Sequence, residues 1–162
     1  MSGQKQIRIL LEPLFFLFHK RFHPASEKCL AGFRVKALKL KIPDTAVEQL
    51  TDLYKVTNGV SILDEFTFHR CGDNELFEWW NKKKELWLGS REIDILRWKN
   101  GKFCLGDANT ISYSAEYECQ TLSELLVNCF NKWYFGLWNR FVDSNKEMEL
   151  WRTKTNGQNA SR

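Results

Sequence analysis

The stretch IDILRWKNGKFCLGD, Ile93–Asp107, decides the fold of this 162-residue chain. Asn100-Gly101 stands between two apolar runs, and this dipeptide favours the two-residue turn of a β-hairpin because both of its residues accept a positive φ. Such a turn fixes the register, which pairs Lys99 with Lys102, Trp98 with Phe103, and Leu96 with Leu105. One face of the hairpin is then wholly apolar, so a layer of helices must cover it.

A second informative segment, TNGVSILDEF, residues 57–66, marks a change of periodicity. The apolar residues before it keep the three-and-four spacing of a helix with one buried face: Val47, Leu50, Leu53, Tyr54 and Val56. Pro43 suits the first turn of this helix, and Asn58-Gly59 suits its end, because glycine accepts the left-handed conformation that closes a helix. Residues 60–63 and 66–71 then have the pattern of two short strands.

Two helices are predicted before this segment. The first is N-terminal, and its apolar residues are expected to pack on the core: Leu10, Leu11, Leu14, Phe15 and Phe18. Ser26 favours the start of the second helix, along which Leu30, Phe33 and Leu38 roughly keep helical spacing. Glu12-Pro13 interrupts the N-terminal apolar run, which is also too short for a membrane span, so neither a span nor a secretory signal is expected.

Two more helices are predicted after the first strands. Gly72-Asp73-Asn74 indicates a turn that opens a helix over residues 75–87. Thr121 and Glu124 have the spacing of a capping box at the start of a closing helix. The apolar stripe of that closing helix is Leu122, Leu125, Leu126, Cys129, Phe130 and Trp133.

This order of elements predicts one α+β domain over residues 1–142 and a polar C-terminal tail over residues 143–162. The expected architecture is a twisted antiparallel sheet with hairpins, covered by the N-terminal helices and by the closing C-terminal helix. A hydrophobic content of 43% argues against disorder over most of the chain. The five cysteines are odd in number and form no C-x-x-C pair, which favours reduced thiols in a cytoplasmic protein.

The same order of signals resembles the SUKH superfamily, over about residues 24–130. The matching features, in chain order, are the helix start at Pro24-Ala25-Ser26, the helix from Ile42-Pro43 to Asn58-Gly59, the strand end at Leu88-Gly89, the hairpin leading to Gly106-Asp107, and the final helix from Thr121 through Leu125. The resemblance implies a noncatalytic α+β domain. Most members are bacterial immunity proteins that bind and neutralise a cognate toxin, often a nuclease, and one is a fungal regulator of cell-wall synthesis.

Charge is unevenly distributed and suggests a surface for such a partner. Residues 43–80 hold eight acidic and two basic side chains, and residues 103–125 hold four acidic and no basic ones. We expect the acidic side chains of these blocks to approach one another across the sheet edge and to attract a basic toxin domain: Asp64, Glu65, Asp73, Glu75, Asp107, Glu116 and Glu118. The alternatives are scattered solvated acids, or a regulatory scaffold for cell-wall synthesis or signalling.

Binding of single-stranded nucleic acid is another alternative. Trp79 precedes a run of three lysines, which would combine a stacking surface with charges that bind phosphate. The candidate residues are Trp79, Lys82, Lys83, Lys84, Arg97 and Lys102. A helix that buries Trp80 with Leu76 and Trp87, and exposes the lysines to solvent, is the simpler interpretation.

Enzymatic chemistry has few candidate residues. Only His19, His23 and His69 are available as bases near neutral pH. His19 and His23 have the i, i+4 spacing of zinc ligands on a helix, but Lys20-Arg21 between them repels a cation. His69 and Cys71 share a strand face, yet cysteine is more often a buried apolar residue than a nucleophile. We therefore predict no catalytic residue, no metal site and no cofactor.

Overall fold

The computed structural model describes residues 2–63, 65–107 and 115–130. Three helices come first: α1 (Gly3–Leu17), α2 (Glu27–Lys39) and α3 (Asp44–Val56). The strands are β1 (Val60–Ile62), β2 (Phe66–Phe68), β3 (Glu85–Arg91), β4 (Asp94–Lys99), β5 (Lys102–Asp107) and β6 (Ala115–Cys119). Between β2 and β3 lie a 3-10 turn (Asn74–Phe77) and the short helix α4 (Trp80–Lys83), and α5 occupies residues 122–130.

The strands form one antiparallel sheet in the order β1-β2-β3-β4-β5-β6, so the α+β prediction is confirmed. The β4–β5 hairpin has the predicted register, with Trp98 opposite Phe103 and Lys99 opposite Lys102. Its turn residues Asn100 and Gly101 have φ values of 50° and 79°. A two-residue turn with both φ values positive twists in the same sense as the strands, which explains the match.

The helices and one face of the sheet share a single buried core. The predicted stripes of α1, α3 and α5 are confirmed in the part of the chain that is described, which excludes Trp133. The prediction for α2 is wrong at one position. Leu38 is 77% exposed and Ala37 is buried in its place, because residues 30, 33 and 37 share a helix face and residue 38 lies about 100° away.

The helix predicted over residues 75–87 is wrong in its second half. Helix α4 ends at Lys83, Lys84 caps it with a left-handed backbone of φ 56°, and the chain then enters β3. Strand β3 pairs with β2 on one side and with β4 on the other. These two pairings, one of them with the distant strand β2, decide the conformation of Glu85–Arg91, because the ladder bonds satisfy backbone groups on both sides of the strand.

The prediction of reduced thiols is wrong for two of the cysteines. Cys29, in the first turn of α2, is disulfide-bonded to Cys71, which follows β2, with Cα atoms 6.4 Å apart. Cys104, Cys119 and Cys129 are buried and take no part in this disulfide. Sequence spacing does not reveal the pairing, because it arises from the packing of α2 beside the end of β2, 42 residues away along the chain.

Within the described part of the chain, no helix combines the length and apolar character that crossing a bilayer would require. The predicted polar tail, residues 143–162, lies outside the described residues.

Candidate functional site

Alternate residues of the central strands point away from the helices, onto what we call the outer face of the sheet. On β4, Trp98 belongs to the core beneath the helices, so its neighbour Arg97 projects to the outer face. The register places Arg97 beside Trp87 of β3 and beside Cys104 of β5. A row of outer-face residues therefore crosses the middle of the sheet.

Two consecutive tryptophans reach opposite faces of the sheet. Trp80 is 5% exposed, packs 6.1 Å from Trp98 in the core, and donates its indole N–H to the Leu40 carbonyl at 2.7 Å. Trp79 instead lies on the outer face against Trp87 and Arg97. Trp79 directly precedes α4 and Trp80 is its first residue, so the two rings diverge at the start of this helix.

We define the outer-face cluster as His69, Trp79, Trp87 and Arg97. The rings of Trp79 and Trp87 stack with centroids 4.8 Å apart and planes inclined by 10°. His69 meets Trp87 edge-on at 4.7 Å, and the Arg97 guanidinium carbon lies 4.8 Å from the Trp79 ring centroid. The cluster joins β3, β4, the residue after β2 and the residue before α4, so four segments hold it in place.

A buried acidic residue is paired with Arg97, the cationic member of the cluster. Glu85 accepts a hydrogen bond from Arg97 Nη1 at 3.1 Å and forms an ion pair with Lys99 Nζ at 3.4 Å. The Glu85 side chain is 5% exposed and that of Arg97 is 9% exposed. Because neither charge is well hydrated, each depends on the other, and the pair holds the guanidinium against Trp79.

Carboxylates gather around His69 in the loop that follows β2. Burial lowers the pKa of His69 below 6.5, and the nearby negative charges of Asp73, Glu75 and Glu78 oppose that shift. We define the acidic loop as these three acids, which lie beside the outer-face cluster. Asp73 also shapes the loop, because it accepts a hydrogen bond from the Arg70 backbone N–H at 2.8 Å.

The acidic residues expected to form one surface are instead dispersed. Asp73 and Glu75 come together, while Glu65 and Asp107 lie near the opposite end of the strands, three strand spacings or about 14 Å apart. Glu118 is on the last strand, where it forms a 3.6 Å ion pair with Lys102. The expectation fails because position along the strand, as well as strand order, decides which residues meet. Asp64 and the Glu116 side chain lie outside the described residues.

The residues of the nucleic-acid alternative are brought together only in part. Lys83 Nζ lies 5.4 Å from the Trp79 ring centroid, and Lys82 is exposed nearby. Lys84 lies over the core residue Trp80 at 5.4 Å. Two of the cations are already paired with carboxylates, Arg97 with Glu85 and Lys102 with Glu118. Their charge is therefore less available to phosphate groups than the sequence suggests.

The structure places His19 and His23 in the segment after α1 and His69 directly after β2. Helix α1 ends at Leu17, so His19 and His23 do not share a helix face. Among the described residues, no group of three metal-ligand side chains is close enough to hold an ion. His69 Nε2 is buried without a hydrogen-bond partner in the described chain, and the neighbouring Cys71 sulfur is in a disulfide. The arrangement offers stacking, charge and shape for binding another molecule.

Sequence reasoning missed four contributors to this site: His69 as a ring contact, Glu78, Glu85 and Trp87. The sequence pattern places Trp87 on a buried helix face instead. Once residues 85–91 are recognised as a strand, the register with β4 identifies Trp87, because Trp87 lies opposite Arg97. Neither a family model, nor a curated protein, nor a solved structure matches the chain.

Proposed function

We propose that this chain is a noncatalytic protein-binding domain, acting as an immunity protein of the SUKH kind that neutralises a cognate toxin by direct binding. The observation that carries the proposal is the outer-face cluster beside the acidic loop. Tryptophan and arginine dominate the binding energy of protein interfaces, and they do so where neighbouring residues hold them rigid and partly desolvated. Both conditions apply to Trp79, which lies between α4 and the sheet.

The charge beside the cluster indicates the chemistry of the partner. Asp73 is paired with Arg70 at 3.5 Å, so Glu75 and Glu78 are the carboxylates of this loop that favour a partner with a basic surface. Such complementarity raises the association rate more than the affinity. Glu75 and Glu78 are exposed. A toxin that acts on nucleic acid needs a basic surface to bind its substrate, so an acidic protein surface beside aromatic anchors is suited to covering it.

Two charge reversals test the proposal without disturbing the fold. The double variant Glu75→Lys/Glu78→Lys changes two exposed side chains, and Glu48→Lys/Glu92→Lys, at exposed positions on α3 and in the β3–β4 turn, makes the same change of net charge as a control. A toxin captured from native lysate by the wild-type chain is purified, and its association with each variant is followed by biosensor at two salt concentrations. We expect the loop variant to associate roughly tenfold more slowly at low salt, and the control to match wild type.

The contribution of the aromatic residues is tested separately. Trp79→Ala should weaken the same complex by about 2 kcal/mol or more, which is roughly 30-fold in Kd. Its thermal unfolding is measured in parallel, so that loss of folding is not mistaken for loss of binding. Wild-type affinity in a folded Trp79→Ala protein, or equal slowing by both double charge variants, would place the partner surface elsewhere. Co-purification with single-stranded nucleic acid, lost on adding salt, would favour the nucleic-acid alternative.

A further inference from the structure

The disulfide between Cys29 and Cys71 forms part of the wall of a cavity of about 430 Å³, on the side of the molecule where α2 meets the segment after β2. Cys71 is 3% exposed, whereas Cys29 is only half-buried. Both cysteines line the cavity, and Cys29 is the more accessible residue of the two.

Two glycines leave the approach to the Cys29 sulfur open. Gly72 also lines the cavity, and a Cβ atom at that position would stand 3.7 Å from Cys29 Sγ, in van der Waals contact. Gly32 lies one turn along α2, and a Cβ atom there would meet nothing within 4 Å. Side chains longer than a methyl group at these positions would narrow the entrance to the cavity.

Two basic side chains line the cavity. Lys28 and Lys36 line it, and none of its described lining residues is acidic. Lys36 is held at the wall by neutral partners, since its Nζ lies 4.6 Å from the Phe77 ring centroid and 3.4 Å from Asn74 Oδ1. These partners carry no net charge, so neither of them neutralises the ammonium group.

Cys29 is also placed where negative charge on sulfur is favoured. It is the third residue of the 13-residue helix α2, and its backbone N–H donates to Ser26 Oγ at 3.1 Å. The positive end of the helix dipole and the two lysines favour a thiolate at this position once the disulfide opens, against the opposing negative charge of Glu27 in the same turn.

From the accessible Cys29, the open approach and the basic lining, we propose that Cys29–Cys71 is a thiol–disulfide exchange site for small thiols that carry carboxylates, of the glutathione type. The attacking thiolate forms a bond to Cys29 Sγ, the Cys29–Cys71 bond breaks, and the electron pair leaves on the Cys71 sulfur, which takes a proton from water. A second thiolate then attacks the sulfur of the bound thiol. It releases the small disulfide and leaves Cys29 as a thiolate.

The test uses the oxidised full-length chain with two probes, reduced glutathione, which is anionic, and cysteamine, which is cationic. Opening of the disulfide is timed by alkylation and intact mass, and the ratio of the two rates is compared between proteins, so that the intrinsic reactivity of each thiol cancels. The cavity variant is Lys28→Gln/Lys36→Gln. The matched control is Lys39→Gln/Lys55→Gln, which removes the same charge from exposed positions outside the cavity lining.

We expect the glutathione-to-cysteamine rate ratio to fall roughly fivefold in the cavity variant at low ionic strength and to be unchanged in the control. Peptide mapping should place the glutathione adduct on Cys29. A second measurement treats Cys71→Ser and Cys29→Ser proteins with oxidised glutathione, and the adduct should form rapidly only where Cys29 remains. An equal fall of the ratio in both lysine variants, an adduct on Cys71, or a disulfide that opens only in denaturant would overturn the proposal.

Discussion

Replacing Glu85 with glutamine should destabilise the protein far more than the same change at Glu118. Glu85 is 5% exposed and pairs with two cations, Arg97 at 3.1 Å and Lys99 at 3.4 Å. Removing one member of a buried pair leaves the other charge uncompensated, at a cost of about 3–5 kcal/mol. Glu118 is 56% exposed and pairs with Lys102 at 3.6 Å, a geometry typical of pairs that contribute about 0–1 kcal/mol.

Urea unfolding followed by tryptophan fluorescence measures this difference. With a denaturant slope of about 2 kcal/mol per molar, Glu85→Gln should lower the midpoint by about 1.5–2.5 M and Glu118→Gln by less than about 0.5 M. A loss of that size is a large share of the stability of an ordinary domain, which is about 5–15 kcal/mol. The fluorescence of the native state should also change, because Glu85 holds Arg97 against the Trp79 ring.

A double variant separates the pair from its surroundings. Glu85→Leu/Arg97→Met removes both charges and keeps the volume roughly constant, so it should lose less stability than Glu85→Gln alone. Similar midpoints for Glu85→Gln and Glu118→Gln would refute the argument, because burial would then make no difference to the two ion pairs. A double variant less stable than Glu85→Gln would mean that the guanidinium contributes mainly through its ring contact.

Three further predictions follow from individual side chains. A Cβ atom on Gly89 would collide with the Thr67 carbonyl oxygen of β2, so Gly89→Ala should lower the free energy of unfolding by at least about 2 kcal/mol, measured by heat or urea. A Cβ atom on Gly32 of α2 would meet nothing within 4 Å, so Gly32→Ala should raise the free energy of unfolding by about 0.5–1 kcal/mol. Because burial lowers the pKa of His69, the unfolded chain binds the imidazole proton more readily than the folded chain does. The free energy of unfolding should therefore decline as pH falls below about 6.5, and His69→Gln should flatten that part of the pH profile. An NMR titration of the imidazole with a midpoint above 6.5 would contradict this prediction. Burial raises the pKa of Cys104 to about 11, so about 0.1% of its side chain is thiolate at pH 8. Alkylation of Cys104 by iodoacetamide, followed by mass spectrometry, should therefore be slow. Rapid labelling of Cys104 in the folded protein would contradict this prediction.

Sequence patterns predicted those parts of the candidate site that consist of residues close together in the chain. The acidic residues Asp73 and Glu75 were singled out from the charge pattern, and Trp79 with Lys83 from the aromatic-basic run. The structure places both pairs in one region of the sheet. Trp87 joins these two pairs of residues. Its contact with Trp79 depends on β3 being a strand, whereas the sequence pattern of residues 75–87 is typical of a helix.

The sequence alone determined the β4–β5 hairpin, its register, the helix α3 with its stop near Gly59, and the stripes of α1 and α5. In each case the deciding interactions join residues within about two turns of helix or across a two-residue turn, so the local pattern contains them. The pairing of β3 with β2, the Cys29–Cys71 disulfide and the outer-face cluster were decided only by the tertiary structure. These depend on which strand pairs with which, and on where α2 and α4 pack against the sheet. Pairings between distant residues follow from the global arrangement of the core, and no short segment records that arrangement.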